Sequence, residues 1–409
     1  LDGASTGYNE PTSLIAALAK RFKDTGEPKD LTLYYINGVG DRIDSSDRGY
    51  STLALTGMIK RMIGGHLGQA PKLASMAFKN KVEAYNLPMG VMSQLLRCAA
   101  ARQPGLISSV GLHTFMDPRQ HGGKLNERTT EDLIELINIK GKEYLLYYTI
   151  PLDVAFLAAS TADTEGYITM EDEDLFLDEL SAAQAVHNNG GLVIVQVRRI
   201  VKEGTLHPKL IKIPGNLVDA IVVVPEQPQS YSQAGKPLNR FITGDLIAPE
   251  NYIVTQIPLN ERKVIARRGL FESKPGDTVN TGVGIAALIN PVAQEEGIHK
   301  SLTLTTEIGK IGGINGPPEG VNFGVSSNMK AIIPMSSQFD FYDGGGLDIA
   351  YVSFAQVDQK GNVNVHIIND KIMGTGGFSN ITANCKKVVF GGTMTSGGLK
   401  TKVGNGKIE

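Results

Sequence analysis

At 409 residues and 43.9 kDa, with 41% hydrophobic residues, the chain is longer than one small core can organise and has the apolar content to fill two or three. Forty basic against forty-two acidic side chains leave a formal charge of −2. That balance excludes an electrostatic grip on nucleic acid or on an anionic membrane, and it points to small molecules and further copies of the chain as partners.

Two cysteines, Cys98 and Cys385, are too few for a disulfide framework, and neither lies in a CxxC or His-rich setting. No apolar run approaches the roughly 20 residues of a membrane helix. With no signal-like pattern at the first residues, a reduced, cytoplasmic protein is expected.

In chain order, GASTGYNEP reads as a glycine loop beginning at Gly3, followed by the helix-like TSLIAALAKRFKDTG (12–26). The acidic MEDEDLFLDEL (170–180) reads as the charged first turn and outer face of a helix that continues through EDLFLDELSAAQAVHNNGG (173–191). Strand-like LVIVQV (192–197), AIVVVP (220–225) and KVVFGG (387–392) complete an alternation of helix and apolar strand that predicts an α/β fold with mainly parallel sheets.

The sequence also repeats. DVAFLAASTADTEGYIT from Asp153 lies over DIAYVSFAQVDQKGNVN from Asp348 at an offset of 195, with Asp163 over Asp358 and Gly166 over Gly361. The same offset carries Val193-Ile194-Val195 onto Val388-Val389-Phe390. A second register, at 271, lays LTLYYINGVG from Leu31 over LTLTTEIGKI from Leu302. Two similar open α/β domains from an internal duplication are therefore expected, each a mainly parallel sheet flanked by helices. The first should span 1–230, with an insertion between about Gly40 and Glu131, and the second 231–409. The linker falls in the polar, Pro- and Gly-rich 225–245, after which Pro258 opens a helix stopped by Gly269.

In the second register Glu307 falls on Ile36, so a need common to both halves does not account for this carboxylate. It ends a short strand-like alternation, Leu302 to Thr306, and Gly309 follows it. One alternative is a dinucleotide loop: Gly282-Val283-Gly284-Ile285-Ala286-Ala287 fits GxGxxA, and Glu307 stands 23 residues beyond Gly284, near where a ribose-binding acid would fall. A Walker loop is not formed, because Gly398 occupies the lysine position of GTMTSGG. The seven histidines show no paired ligand spacing, so no metal site is expected. Gly376 and Gly377 open the helix-like FSNITANC, where backbone N–H groups can converge on developing negative charge.

Taken together, GDRIDSSDRGYSTLALTGMIKRMIGGHLG, GLHTFMDPRQHGGKLN, TADTEGYIT, VNTGVGIAALI, the Glu307-Ile308-Gly309 triplet, QFDFYDGGGLDIA and GTGGFSNITANCKKVVFGGT resemble the class I CoA-transferases. The match is closest to the single-chain acetate or propionate enzymes, which fuse the two subunit types of the succinyl-CoA:3-oxoacid enzymes. The resemblance implies that Glu307 is the nucleophile of a ping-pong exchange, with coenzyme A as substrate and no permanently bound cofactor. Oxyanion donors would come from Val283 or Gly284 and from Gly376 or Gly377, while Gly282 and Gly309 would lie against CoA. A glutamate of ordinary pKa, about 4.3, would be ionised at neutral pH and need no base.

The expected partners are acyl-CoA, short-chain carboxylates and further copies in a homo-oligomer, with no nucleic acid and no membrane. A hydrolase on the same fold and a silent acyl-CoA sensor are the other readings. Met89, in LPMGV, departs from the Gln of some relatives.

Overall fold

The computed structural model describes residues 2–6, 9–37, 40, 49–229, 237–249, 257–315, 325–368, 371–393, 403–405 and 407–408. Val, Ile and Tyr runs bounded by turn residues make the strands of the first half: β1 (Asp2–Thr6), β2 (Leu31–Asn37), β3 (Ile59–His66), β4 (Glu83–Asn86), β5 (Val154–Ala158), β6 (Leu192–Val197) and β7 (Ala220–Val223). They form one wholly parallel sheet in the order β7-β6-β5-β1-β2-β3-β4. Buried on both faces, β2 hides Leu33, Tyr34, Tyr35 and Ile36 in succession, the pattern of a strand with layers on either side.

Helix α1 (Thr12–Thr25) buries Leu14, Ile15 and Ala19, and Gly26 ends it at φ 73° with its N–H on Phe22 O. Two further helices of this half are α2 (Met89–Ala100) and α3 (Glu179–Asn188). A three-stranded antiparallel sheet built from Gly105–Ser108, Ile134–Ile139 and Lys142–Tyr148 stands apart from the main one.

In the second half lie α4 (Glu261–Leu270), β8 (Thr278–Thr281), α5 (Ile289–Glu295), β9 (Thr303–Thr305), β10 (Lys310–Ile311), β11 (Ala331–Ile332), α6 (Met335–Asp343), β12 (Ile349–Ser353), α7 (Phe378–Ala383) and β13 (Val388–Gly391). Its sheet runs β11-β10-β9-β8-β12-β13, with β10 antiparallel to both its neighbours and the other pairings parallel. The central order β13-β12-β8-β9 repeats β6-β5-β1-β2. The pairing repeats as well: Val193 sits opposite Ala155 in the first sheet, and Val388 opposite Ala350 in the second.

The turn after β5 is also used twice. Asp163 Oδ1 accepts the N–H groups of Glu165 and Tyr167 at 3.0 and 2.9 Å. Asp358 Oδ1 accepts those of Lys360 and Asn362, both at 2.8 Å. Gly166 and Gly361 take positive φ, 89° and 82°, which is why Asp and Gly recur at these positions.

Four expectations are corrected. Residues 2–6 are not part of a glycine loop but strand β1, paired with β2 at Asp2–Tyr34. The helix expected from residue 173 begins only at Glu179, and the acidic stretch before it is buried loop rather than a solvated face. Asp172, Glu173, Asp174, Asp178 and Glu179 are at most 3% exposed. Distant residues supply their partners: Asn9 Nδ2 donates to Glu179 at 2.8 Å, Gln227 Nε2 to Glu173 at 3.1 Å, and Lys310 Nζ pairs with Asp174 at 3.0 Å. A charge run looks solvated locally because nothing nearby in sequence reveals those partners.

The helix expected from Pro258 is capped instead by Asn260, whose side chain accepts the Lys263 N–H at 3.0 Å, and Gly269 lies inside it. Part of the expected linker, 230–236, lies outside the described residues. The flanking Gln227 and Gln229 are buried and hydrogen-bonded into the first half, Gln227 Nε2 to Ala159 O and Gln229 Nε2 to Asp172 O.

One continuous core joins the halves. Ile308, Met335, Phe339, Tyr342 and Ile381 belong to the same buried cluster as Tyr34, Met92, Leu95 and Leu157. Gly90 at the start of α2 lets α6 and α7 approach, since a Cβ there would lie 2.5 Å from both Phe339 Cγ and Asn380 Nδ2.

Backbone approach is closest at Gly309. It has φ 98°, and a Cβ there would lie 2.0 Å from Ile333 O. Strain from φ alone costs about 1–3 kcal/mol, and the overlap with a backbone carbonyl adds to it. Gly297 has φ 72° with open space around it. Gly309→Ala is therefore expected to lower the thermal midpoint clearly more than Gly297→Ala, and equal losses in a melting experiment would count against the tight packing of this turn.

Candidate active site

Strand β9 ends at Thr305 and the chain reverses into β10. Gly309 N–H donates to Thr306 O at 3.1 Å, and Thr306 N–H donates to Lys310 O at 3.0 Å. This is a three-residue hairpin loop, Glu307-Ile308-Gly309, closed by a glycine at positive φ. Ile308 is 1% exposed and anchors the loop in the shared core, so Glu307 is held down with it at 6%. In the first half β2 runs on through Ile36, fully buried. The repeat therefore places a core side chain where the second half turns and presents a carboxylate.

Beneath the turn a small network fixes the strand ends. Asn280 Nδ2 donates to Tyr342 Oη at 3.0 Å, and Thr305 Oγ1 donates to Val279 O at 2.9 Å. The remaining contact, 2.7 Å between Tyr342 Oη and Thr305 Oγ1, is then donated by the tyrosine. Burial pushes the Glu307 carboxyl up to about 7, against the opposing pull of backbone N–H and the Asn280 amide. The expectation of a glutamate titrating in the ordinary carboxylate range is thus corrected: burial keeps its protonated form populated closer to neutral pH. Among the described residues Oε2 has no hydrogen-bond partner.

The second wall is GTGGF, 374–378, pinned to the carboxyl ends of β3 and β4. Leu67 and Gly68 N–H both donate to Met373 O at 2.8 and 2.9 Å, Thr375 N–H donates to Asn86 Oδ1 at 3.0 Å, and Gly376 N–H donates to Gly65 O at 2.9 Å. Met89 N–H donates to Gly376 O at 3.1 Å, and Gly90 N–H to Asn380 Oδ1 at 3.0 Å. Because Gly376 N–H is engaged, it is not free to meet an oxyanion here. Gly377 N–H carries no hydrogen bond among the described residues. A Cβ on Gly377 would come within 3.2 Å of Glu307 Cγ, so the glycine leaves room for the carboxylate.

The third wall is the loop after β8. Asn280 pairs with Thr305 across β8 and β9, so Gly282 and Glu307 both follow that pair at the carboxyl edge of the sheet, next to the point where strand order reverses. Gly282 N–H is spent on Tyr351 O at 2.7 Å, and Gly309 N–H on its turn. Val283 is exposed, and Gly284 sits at φ 84° over Ser353. Ser353 Oγ donates to Val283 O at 2.8 Å, leaving Val283 and Gly284 N–H without hydrogen bonds among the described residues.

Structure thus brings Glu307, Gly377, Gly282 and the Val283-Gly284 loop to one sheet edge, and it adds Asn280, Tyr342 and Asn86. Only a polar residue inside the strand TVNT hinted at Asn280. For Asn86 and Tyr342 the sequence offers no signal, since their partners lie far away in the chain.

The sequence matches the family model described as Coenzyme A transferase over residues 3–224. It is 53% identical over 407 residues to the acetate CoA-transferase YdiF of Escherichia coli O157:H7, covering 100% of this chain and 75% of that one. It is 42% identical over 403 residues to the caffeate CoA-transferase of Acetobacterium woodii, covering 97% and 76%. The crystal structure of the E. coli O157:H7 acyl-CoA transferase YdiF as a thioester complex with CoA superposes with a TM-score of 0.88 at 53% identity, over 96% of this chain and 76% of that one. The chain belongs to the coenzyme A transferase family, and it is a CoA-transferase. The dinucleotide-dependent alternative falls with that result.

If attack requires the ionised carboxylate, kcat/KM for acyl-CoA should rise about tenfold per pH unit below 7 and level off above it. A profile flat from pH 5 to 8 would mean that the nucleophile titrates in the ordinary carboxylate range.

Proposed function

We propose that the protein moves CoA between short-chain carboxylates, acetate and propionate foremost, through a glutamyl-CoA thioester on Glu307. The observation that carries this reading is the buried Glu307, whose Oε2 has no hydrogen-bond partner among the described residues and whose Cγ would lie 3.2 Å from a Cβ placed on Gly377. The relative crystallised as a CoA thioester supports it.

In the first half-reaction Glu307 attacks the acyl-CoA carbonyl, the C–S bond breaks, and CoA leaves as thiolate from a mixed anhydride. The thiolate then attacks the glutamyl carbonyl, and the first acid departs as carboxylate. A second carboxylate attacks the glutamyl thioester, thiolate is expelled, and its attack on the new anhydride's acyl carbon returns Glu307. No proton is gained or lost, which suits a site without a general base.

Desolvation makes the carboxylate more basic than in water, and it keeps water from the anhydride. Each tetrahedral intermediate carries an oxyanion, to which Gly377 N–H on one side and Val283 or Gly284 N–H on the other are assigned, each donor worth about 3–4 kcal/mol. Gly376, first grouped with them, serves instead to orient the loop. Gly282 and Gly309 act through backbone shape, letting CoA and the turn approach. The division of the chain into 1–230 and 231–409 belongs to the same proposal, as do a cytoplasmic location and a homo-oligomeric state. Among the described residues no helix is long and apolar enough to cross a membrane.

Incubation with propionyl-CoA alone, followed by borohydride, should reduce a glutamyl thioester to an alcohol and change the mass of the peptide holding SLTLTTEIGK only. With acetate added, exchange should give parallel double-reciprocal plots, and loss of thioester to water should be slow beside it. Glu307→Gln should abolish both label and exchange. Its fold should be at least as stable at pH 8: the unfolded carboxyl ionises near 4.5 and the folded one near 7, so ionisation costs stability as pH rises through that window. A label on another peptide, or exchange retained in Glu307→Gln, sinks the assignment.

A further inference from the structure

Lys310 opens β10, three residues beyond Glu307, and its side chain is wholly buried. Nζ lies 3.0 Å from Asp174 Oδ2, whose side chain is equally enclosed. A lysine without solvent at the foot of a tight turn is costly to keep unless its charge is met. The partner comes from the other half of the chain.

Asp174 sits in a segment anchored at several points. Asp172 N–H donates to Ser160 Oγ at 2.8 Å, Gln229 Nε2 donates to Asp172 O at 2.8 Å, and Glu179 accepts from Asn9 Nδ2 and Leu177 N–H. Ile308 seats the hairpin in the shared core and β10 pairs with β11, and Lys310 adds a charged tie to the first half. Strands β9 and β10 share one residue pair, Thr305 with Ile311, and β10 is two residues long.

We propose that Lys310 is a positioning residue whose ion pair with Asp174 sets where the hairpin holds Glu307 relative to the GTGGF loop, an inference that rests on Glu307 being the nucleophile. Gly376 and Thr375 are tied to Gly65 and Asn86 of the first half, and Lys310 is tied to Asp174 of the same half. Nucleophile and oxyanion donor, both carried by the second half, are thus each referenced to the first. Breaking the Lys310–Asp174 tie frees one of them only.

The rate of glutamyl-CoA formation, read as borohydride-dependent label on the SLTLTTEIGK peptide, tests this in Lys310→Met, Asp174→Asn and the double variant. Lys310→Met removes the cleavage site at the end of that peptide, so in this variant and the double one the label is read on the longer peptide from Ser301 to Lys330. Each single change should slow labelling and kcat by roughly 10- to 100-fold, the scale of a misplacement near 1 Å, with KM for acyl-CoA within about threefold because the remote contacts to CoA persist. The double variant should be no slower than the slower single one, since both remove the same tie.

Folded single variants that label at the parent rate, or effects that multiply in the double variant, overturn the proposal. If Lys310→Met does not fold, the rate and KM of Asp174→Asn decide alone. Failure of the underlying reading looks different: the parent protein itself would then carry no label at Glu307.

Discussion

Removing a carboxylate from water raises the free energy of its charged form, and the Glu307 site is built around doing so without losing the charge altogether. Burial moves the group to about 7, which suits the attack on a thioester proposed for it. The same exclusion of water would protect the proposed anhydride from hydrolysis. A carboxylate on an open loop would have neither property. The rest of the fold can be understood as what is required to enclose one turn on every side.

Enclosure needs both halves, although the second carries the groups assigned to the chemistry. The hairpin after β9 presents the carboxylate, and the GTGGF loop covers it. That loop takes its shape from the ends of β3 and β4, through Gly65 O and Asn86 Oδ1. The extra parallel strands β3 and β4 of the first half therefore act as a scaffold for the second. A shared apolar core through Tyr34, Leu95, Phe339 and Ile381 makes the contact between halves part of the interior.

The two halves show one architecture put to two uses. Strand order and residue pairing agree through β6-β5-β1-β2 and β13-β12-β8-β9. The difference arises past Tyr34, the counterpart of Thr305: β2 continues three residues to Asn37, while β9 stops at Thr305 and the chain turns back through Gly309 at positive φ. Ile36 becomes core, and Glu307 is carried on a turn. A glycine stands at this place in both halves, Gly38 and Gly309, so the turn after Thr305 and the side chain at 307 together separate the outcomes.

The sequence by itself determined the α/β class, the repeat at an offset of 195, the helix at 12–26, strands within 192–197, 220–225 and 387–392, and Glu307 as the carboxylate to explain. Each is a local pattern, or a comparison of one stretch with another, and needs no knowledge of what lies across space. Tertiary structure alone decided that the acidic run at 170–180 is buried, because its partners Asn9, Gln227 and Lys310 lie up to 170 residues away. It alone showed that Gly376 N–H is occupied while Gly377 N–H is free among the described residues, since adjacent glycines look alike until one knows which faces Gly65 O. It also raised the Glu307 carboxyl from its ordinary range to about 7. Ionisation depends on how much water surrounds a group, and no count or spacing of residues reports that.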